Sequence, residues 1–321
     1  MKSTVPPVRI PVDVDETTLT IGERAVHLTN LRKVFFAEAG VRKCDLLQYY
    51  ADVAPFLVPH VRDRAMVMKR YPHGASGDFF FMKRTPPGAP AWLVRCPIDH
   101  GEGKIIDFPV VDDTAALLWI VNLGCIDINQ WYGRCDDVDR PDYVHFDLDP
   151  VKVGPDGPTP FTVVLQAGLA VRAALTELGM PSLVKTSGSN GLHVYVPIVR
   201  GPEQKEVWRF AKAFAFAVAA RHADILTAEY KIAKRPPGRV LVDYNQNAWG
   251  RTLASIYSVR PTPRASVSTP LTWDEVERGV AIADFRLDNA RERFANTGDL
   301  WEPLLAKSGR IDLAKFDRIS H

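Results

Sequence analysis

Three Asp-x-Asp pairs occur along the sequence: Asp13/Asp15, Asp137/Asp139 and Asp147/Asp149. In a β-strand, residues i and i+2 project to the same face with Cα atoms about 7 Å apart, close enough for two carboxylates to share a hard cation. Two such cations, roughly 3.5–4 Å apart, activate an attacking oxygen and stabilise a leaving oxygen in phosphoryl transfer. The first two pairs sit in polar, irregular surroundings and read as solvated loop charges. The third lies in His145-Phe-Asp-Leu-Asp-Pro150, where Phe146 and Leu148 would face a core and Pro150 ends the run. Unpartnered carboxylates at a strand end repel one another, so a cation or a basic partner is expected there. On context alone, a metal site and a solvated strand end both stay open.

A third strand-borne carboxylate, Asp243, stands in Arg239-Val-Leu-Val-Asp-Tyr244, with Val242 and Tyr244 on the opposite face. Between the two acidic strands runs Lys185-Thr-Ser-Gly-Ser-Asn-Gly-Leu-His193. The backbone N–H groups and the Ser187 and Ser189 hydroxyls of this turn could cradle phosphate oxygens, with His193 donating to them. An ordinary hairpin, its glycines supplying positive φ, explains the same residues. Basic residues bracket the acidic strands: Lys33, Lys43, Lys69 and Arg70 before them, and Arg251, Arg260 and Arg264 after. They fit either a solvated face or phosphate binding. Phe79-Phe-Phe81 could stack on bases, although strand alternation would send at least one ring into the core.

The elements that must position these groups follow two rhythms. Pro6, Pro7 and Pro11 discourage helix in an N-terminal arm (1–30), with a hairpin edge at 21–28. A helix is expected at 43–57, with Leu46, Leu47, Tyr50 and Val53 on its apolar face and Pro55 near its end. Strands are expected at 65–71, 78–83, 92–96 and 105–108, then a short buried helix at 112–123. The second half reads as a strand at 143–149, a Gly/Pro loop at 153–160 and a helix at 161–178 closed by Gly179. Strands at 183–186 and 192–198, a helix at 203–222 and a strand at 240–244 follow. Thr272-Trp-Asp-Glu275 is a capping box. The predicted fold is α+β, with antiparallel and mixed sheets flanked by helices and no Rossmann or P-loop signature. The expected domains are the arm, one catalytic domain of two sub-lobes (31–284) and a helical, charged tail (285–321).

Across 321 residues, 40 Lys and Arg against 38 Asp and Glu leave a net charge of +2, so any basic surface must be local. No apolar run approaches the roughly 20 residues that span a bilayer, and the start lacks a signal-peptide core. Membrane partners are therefore not expected, and a cytoplasmic location is. Cys44, Cys96, Cys125 and Cys135 form no C-x-x-C pair and are expected to be reduced thiols.

Taken in order, the motifs resemble the polymerase domain of bacterial DNA ligase D, a branch of the archaeo-eukaryotic primase superfamily used in non-homologous end joining. They are Thr29-Asn-Leu-x-Lys33, Lys69-Arg-Tyr-Pro72, Phe80-Phe81, Asn122-Leu-Gly-Cys-Ile126, Asp147-Leu-Asp149-Pro, Thr186-Ser-Gly-Ser-x-Gly-Leu-His193, Val242-Asp-Tyr-x-Gln-Asn247 and Tyr257-Ser-x-Arg260. The resemblance runs from about residue 28 to about 275. It implies that Asp147, Asp149 and Asp243 bind divalent cations, manganese or magnesium, with Asp243 helping to activate a primer 3′-hydroxyl. Ser187, His193 and Arg260 would contact the triphosphate of an incoming nucleoside triphosphate, and Lys69 and Gln246 would help hold that nucleotide. Phe80 and Phe81 would pack against base and template. Asn30, Lys33 and Lys43 would bind a 5′-phosphate at a DNA gap or broken end. The implied product is a short templated extension, with ribonucleotides preferred. The chain carries no ligase or nuclease module, so the resemblance implies a stand-alone polymerase, or one that meets its ligase and the end-binding protein Ku in trans.

Two positions depart from the family pattern. Asn190 replaces a lysine of Ser-Gly-Ser-Lys-Gly, removing a positive charge beside the phosphates. Asn129 stands where some relatives have histidine, and an amide cannot titrate. Two other functions use the same residues differently. A non-catalytic DNA-end-binding or synapsis protein would need the lysines but not the clustered carboxylates. A two-metal nuclease would degrade DNA without any nucleotide.

Overall fold

A computed structural model of the chain describes residues 7–153, 157 and 159–319. Residues 1–6 of the expected arm, with Pro6, lie outside the described residues, as do 154–156 and 158 of the Gly/Pro loop and 320–321 of the tail. The chain forms two compact units. One takes in the residues up to Trp131 together with Ala254–Val267 and Phe285–Asp299. The other comprises Tyr132–Leu253, Ser268–Asp284 and the residues from Leu300 onward. Both mix helices with mainly antiparallel strands, giving the α+β class that the sequence predicts.

The second unit is built on a six-stranded sheet. Its order is Leu226–Thr227, Val240–Asp243, Tyr143–Pro150, Leu192–Pro197, Leu183–Thr186 and Pro270–Leu271. Alternation along Tyr143–Pro150 sends Phe146 towards the helix Gln204–Arg221, where its ring centroid lies 4.7 Å from that of Phe214. That helix and Phe161–Glu177 both pack on the central strand. Burying Phe146, Leu148, Val194 and Val242 on the helical side fixes the register, because a one-residue slip would turn the carboxylates into the core. On the other face, Tyr195 lies 5.2 Å from His145 and 4.7 Å from Trp301.

In the first unit, Cys125–Trp131 pairs with Met66–Arg70, which pairs with Phe80–Met82. The helix Lys43–Val61 starts where Asp45 accepts the Arg42 backbone N–H at 2.8 Å. It continues past the expected end at residue 57, through Pro55 and Pro59. Burial of Leu57, Val58, His60 and Val61 outweighs the lost helical hydrogen bonds. The expected strand at 92–96 lies instead at Arg95–Asp99, paired with Ile105–Pro109. The tail from residue 285 contains helices Ala290–Thr297 and Glu302–Leu305 and a 3-10 segment, Leu313–Ile319. Cys44 and Cys125 are buried free thiols. Cys96 and Cys135 are not free thiols, which corrects the expectation of four reduced cysteines.

Candidate active site

Strand register assembles the acidic site. Asp147 is paired with Asp243 on one neighbouring strand and with His193 on the other, while Asp149 lies two residues along the same face. One carboxylate oxygen from each of Asp147, Asp149 and Asp243 comes within 4.8 Å of the others. Asp147 is buried, Asp243 half-buried and Asp149 exposed, so the cluster opens towards Asp149. His193 Nε2 stands 3.3 Å from Asp147 Oδ1. Both Asp243 oxygens are oriented, Oδ1 by the Asn245 N–H at 2.8 Å and Oδ2 by the Gln246 amide at 3.0 Å. Gln246 is thus brought to the site through its bond to Asp243.

Asn247 is fully buried and clips this segment to the central strand. Its amide donates to His145 O at 2.7 Å and to Tyr244 O at 3.0 Å, and its side-chain oxygen accepts the His145 N–H at 3.1 Å. These bonds extend the strand pairing past Asp243 and hold the carboxylate in place. Buried beside Asp147, His145 has its pKa pushed down to about 3 by burial and by the nearby His193.

The small-residue turn folds around Ser187, whose Oγ accepts the Ser189 and Gly191 N–H groups at 3.1 and 2.9 Å. Those two N–H groups are therefore spent inside the turn and not on a phosphate, contrary to the expected cradle. Gly188 has φ +70, as the hairpin reading expects, while Gly191 is needed for space. A Cβ there would lie 2.5 Å from Leu148 O and 3.4 Å from Asp149 Oδ1. Asn190 is exposed at the tip. Of the other Asp-x-Asp pairs, Asp13/Asp15 is exposed, while Asp137 binds Arg140 at 2.9 Å and Asp139 binds Trp249 at 3.0 Å.

The other expected residues belong to the first unit and form two groups. Lys69 Nζ lies 3.8 Å from Asp127, 4.1 Å from the Phe79 ring centroid and 6.0 Å from that of Phe81. Burial lowers the Lys69 pKa, with Asp127 opposing the shift and nearby Arg260 adding to it. Arg260 is presented by a strained turn, since Tyr257 has φ +63. Three bonds hold that turn: Tyr257 Oη donates to Asp299 at 2.7 Å, the Tyr257 carbonyl accepts from Tyr49 Oη at 2.7 Å, and Ser258 Oγ accepts the Ile128 N–H at 2.9 Å.

Phe80 parts from Phe81. It faces the other side of the strand, its ring centroid 5.3 Å from the Arg70 guanidinium carbon. All three phenylalanines are exposed, at 49, 43 and 61%, so none enters the core as alternation predicted. Lys43 is buried and donates to Thr29 O at 2.6 Å, while Lys33 donates to Pro72 O at 2.7 Å. Asn30 has φ +54 in the turn that brings these residues together, where the Lys43 and Lys33 backbones also bond at 2.8 Å. Burial, followed by repulsion from Lys33, pulls the Lys43 pKa down to about 8, and Arg70 adds to the repulsion. The sequence reading gave no role to Asp127, quoted Lys185 and Asn247 only within motifs, and did not foresee the contacts of Phe79 with Lys69 or of Arg70 with Phe80. Alternation within Phe79-Phe-Phe81, which puts Phe79 on the same face as Phe81, could have flagged Phe79, but no local signal marks the others.

A profile of the LigD primase-polymerase domain matches residues 42–301. The multifunctional non-homologous end joining protein LigD of Mycolicibacterium smegmatis is 31% identical over 289 residues, covering 89% of this chain and 37% of that protein. The bifunctional LigD of Bacillus subtilis is 29% identical over 276 residues, covering 85% and 43%. The chain thus spans about two-fifths of the length of these relatives. The solved polymerase domain of Mycobacterium tuberculosis ligase D in complex with DNA superposes with a TM-score of 0.80 at 28% identity, covering 88% of this chain and 98% of that one.

Proposed function

This chain belongs to the LigD primase-polymerase domain family, whose members are DNA-directed nucleotidyltransferases of end joining, and we propose that it extends 3′ ends at DNA gaps or double-strand breaks under template direction. The observation that carries this reading is the meeting of Asp147, Asp149 and Asp243 within 4.8 Å, with His193 beside Asp147. Three carboxylates and no sulfur suit a hard divalent cation, and Asp149 gives an exposed approach. Such cations, with manganese favoured over magnesium, supply Lewis-acid stabilisation of the charge that builds on a transferring phosphoryl group.

In the reaction, the primer 3′-oxygen attacks the α-phosphorus of a nucleoside triphosphate, forming a phosphodiester and releasing pyrophosphate. Asp243, its oxygens oriented by Asn245 and Gln246, is assigned to the 3′-hydroxyl. Ser187, His193 and Arg260 bind the triphosphate, and Lys69 and Gln246 help to hold the nucleotide. Phe81 packs on the base, Phe80 meets the template, and Asn30, Lys33 and Lys43 bind a 5′-phosphate. Ribonucleotides are preferred, and Ku and a DNA ligase activity act with the chain. Residues 31–284 are taken as the catalytic domain, with the arm and the segment from 285 as additions.

The test is extension of a gapped duplex, with and without a 5′-phosphate, comparing ribo- with deoxynucleotides and manganese with magnesium. Extension that depends on Asp149 supports the assignment. Binding without extension would mark an end-binding protein, and degradation without nucleotide a nuclease.

A further inference from the structure

Lys185 is a buried cation that none of the roles above uses. Its side chain is fully inaccessible, and Nζ lies 2.8 Å from His193 Nδ1 and 2.6 Å from Ser268 Oγ. Ser268 Oγ donates to the Thr186 carbonyl at 2.8 Å, so it accepts from the lysine. Strand register sets up the whole row. Lys185 is paired with His193, His193 with Asp147 and Asp147 with Asp243.

An ammonium has three donors and no lone pair, so the imidazole nitrogen facing it must accept. The imidazole proton then resides on Nε2, which lies 3.3 Å from Asp147 Oδ1. A charged lysine buried this fully needs a counter-charge, and Asp147 supplies one across the imidazole.

We propose that Lys185 is a positioning residue: it holds His193 as the Nε2–H tautomer, with the ring turned to present that N–H at the carboxylate cluster. There it serves an anionic phosphate oxygen. The functional part of this inference rests on the reading of His193 as a triphosphate contact, whereas the tautomer does not. Without the ammonium, Nδ1 would lose the donor that holds the ring, and the ring would turn or shift its proton to Nδ1.

The experiment has two parts. In the first, ¹⁵N spectroscopy of the imidazoles in the whole metal-free protein, with His193 identified by its loss in His193→Gln, reads the tautomer at neutral pH. A protonated Nε2 and a bare Nδ1 are expected, and a protonated Nδ1 would overturn the proposal. In the second, Lys185→Met should raise the nucleotide KM about tenfold, the scale of one charge-assisted hydrogen bond, with kcat changed less than about threefold. In a His193→Gln background the same substitution should add nothing, because Lys185 acts through His193. An equal loss in both backgrounds would mean a general structural role and would also overturn the proposal. If Lys185→Met does not fold, the wild-type spectrum decides alone. If that spectrum is as expected but the wild-type chain extends no primer, the polymerase reading fails and the positioning of His193 stands.

Discussion

Asp147 and Asp243 stand directly opposite each other on adjacent antiparallel strands. Like charges in that arrangement destabilise a sheet, and Asp149 adds a third on the same face. Apolar packing beneath the strand, Phe146 on Phe214 and Leu148 buried, keeps the register despite this repulsion. The carboxylate cluster therefore favours a bound cation before any chemistry is considered.

A divalent cation should accordingly stabilise the fold. At a concentration of about 100 times its dissociation constant, the gain is about 2.7 kcal/mol. Thermal unfolding with manganese, magnesium and a chelator measures it. Asp243→Asn should be at least as stable as the wild type under chelation, should lose most of the manganese response and should not extend primers. A wild-type melting temperature indifferent to both cations would contradict the site.

Gly191 allows the small-residue turn to approach the acidic strand. Gly191→Ala places a methyl group 2.5 Å from Leu148 O, a backbone atom that cannot swing away. The turn or the strand must move, at a cost of about 1–3 kcal/mol. Urea unfolding should show that loss, and extension should fall with it because Ser187 and Asp149 are displaced. Wild-type stability and activity in the variant would show that the turn is free to shift.

Much of this was legible in the sequence, and the rest was not, for identifiable reasons. Asp147 and Asp149 announce themselves because Phe146 and Leu148 alternate with them. That Asp243 and His193 flank Asp147 depends on long-range pairing, which no local pattern encodes. The strand Cys125–Trp131 is hard to recognise because both its faces are buried, so Cys125 and Gln130 interrupt the alternation that Ile126, Asp127, Ile128 and Asn129 begin. Phe79, Phe80 and Phe81 looked partly like core, yet their short strand lies at a sheet edge and leaves all three accessible. Lys185 resembles any surface lysine until its neighbours are known.

Lys43 makes the proposed 5′-phosphate pocket sensitive to pH. Its pKa is lowered from 10.5 to about 8, so between those values the unfolded chain holds a proton that the folded chain has lost. Stability should therefore rise with pH across that window, and the lysine is a full burden below it. Binding of a 5′-phosphate should behave in the opposite way, weakening above about pH 8 as the charge disappears. Comparing phosphorylated with unphosphorylated gapped duplexes from pH 7 to 9 isolates the effect, and Lys43→Met should abolish both trends. A preference for phosphorylated ends that ignored pH in the wild type would remove Lys43 from the pocket.

Phe80 and Phe81 should not behave as a pair. Phe81 shares its face with Lys69 and Phe79, while Phe80 lies over Arg70, which adds to the charge felt by Lys43. Stacking of a base on an aromatic ring is worth about 1–3 kcal/mol, so each ring removed should weaken its own partner by roughly 5- to 150-fold. Phe81→Ala, and to a smaller extent Phe79→Ala, should raise the nucleotide KM and leave discrimination for 5′-phosphorylated ends intact. Phe80→Ala should instead weaken binding of the gapped duplex, with the nucleotide KM nearly unchanged. Steady-state extension with nucleotide and DNA varied in turn separates the two effects. Identical profiles for Phe80→Ala and Phe81→Ala would show that the two faces of the strand serve one ligand.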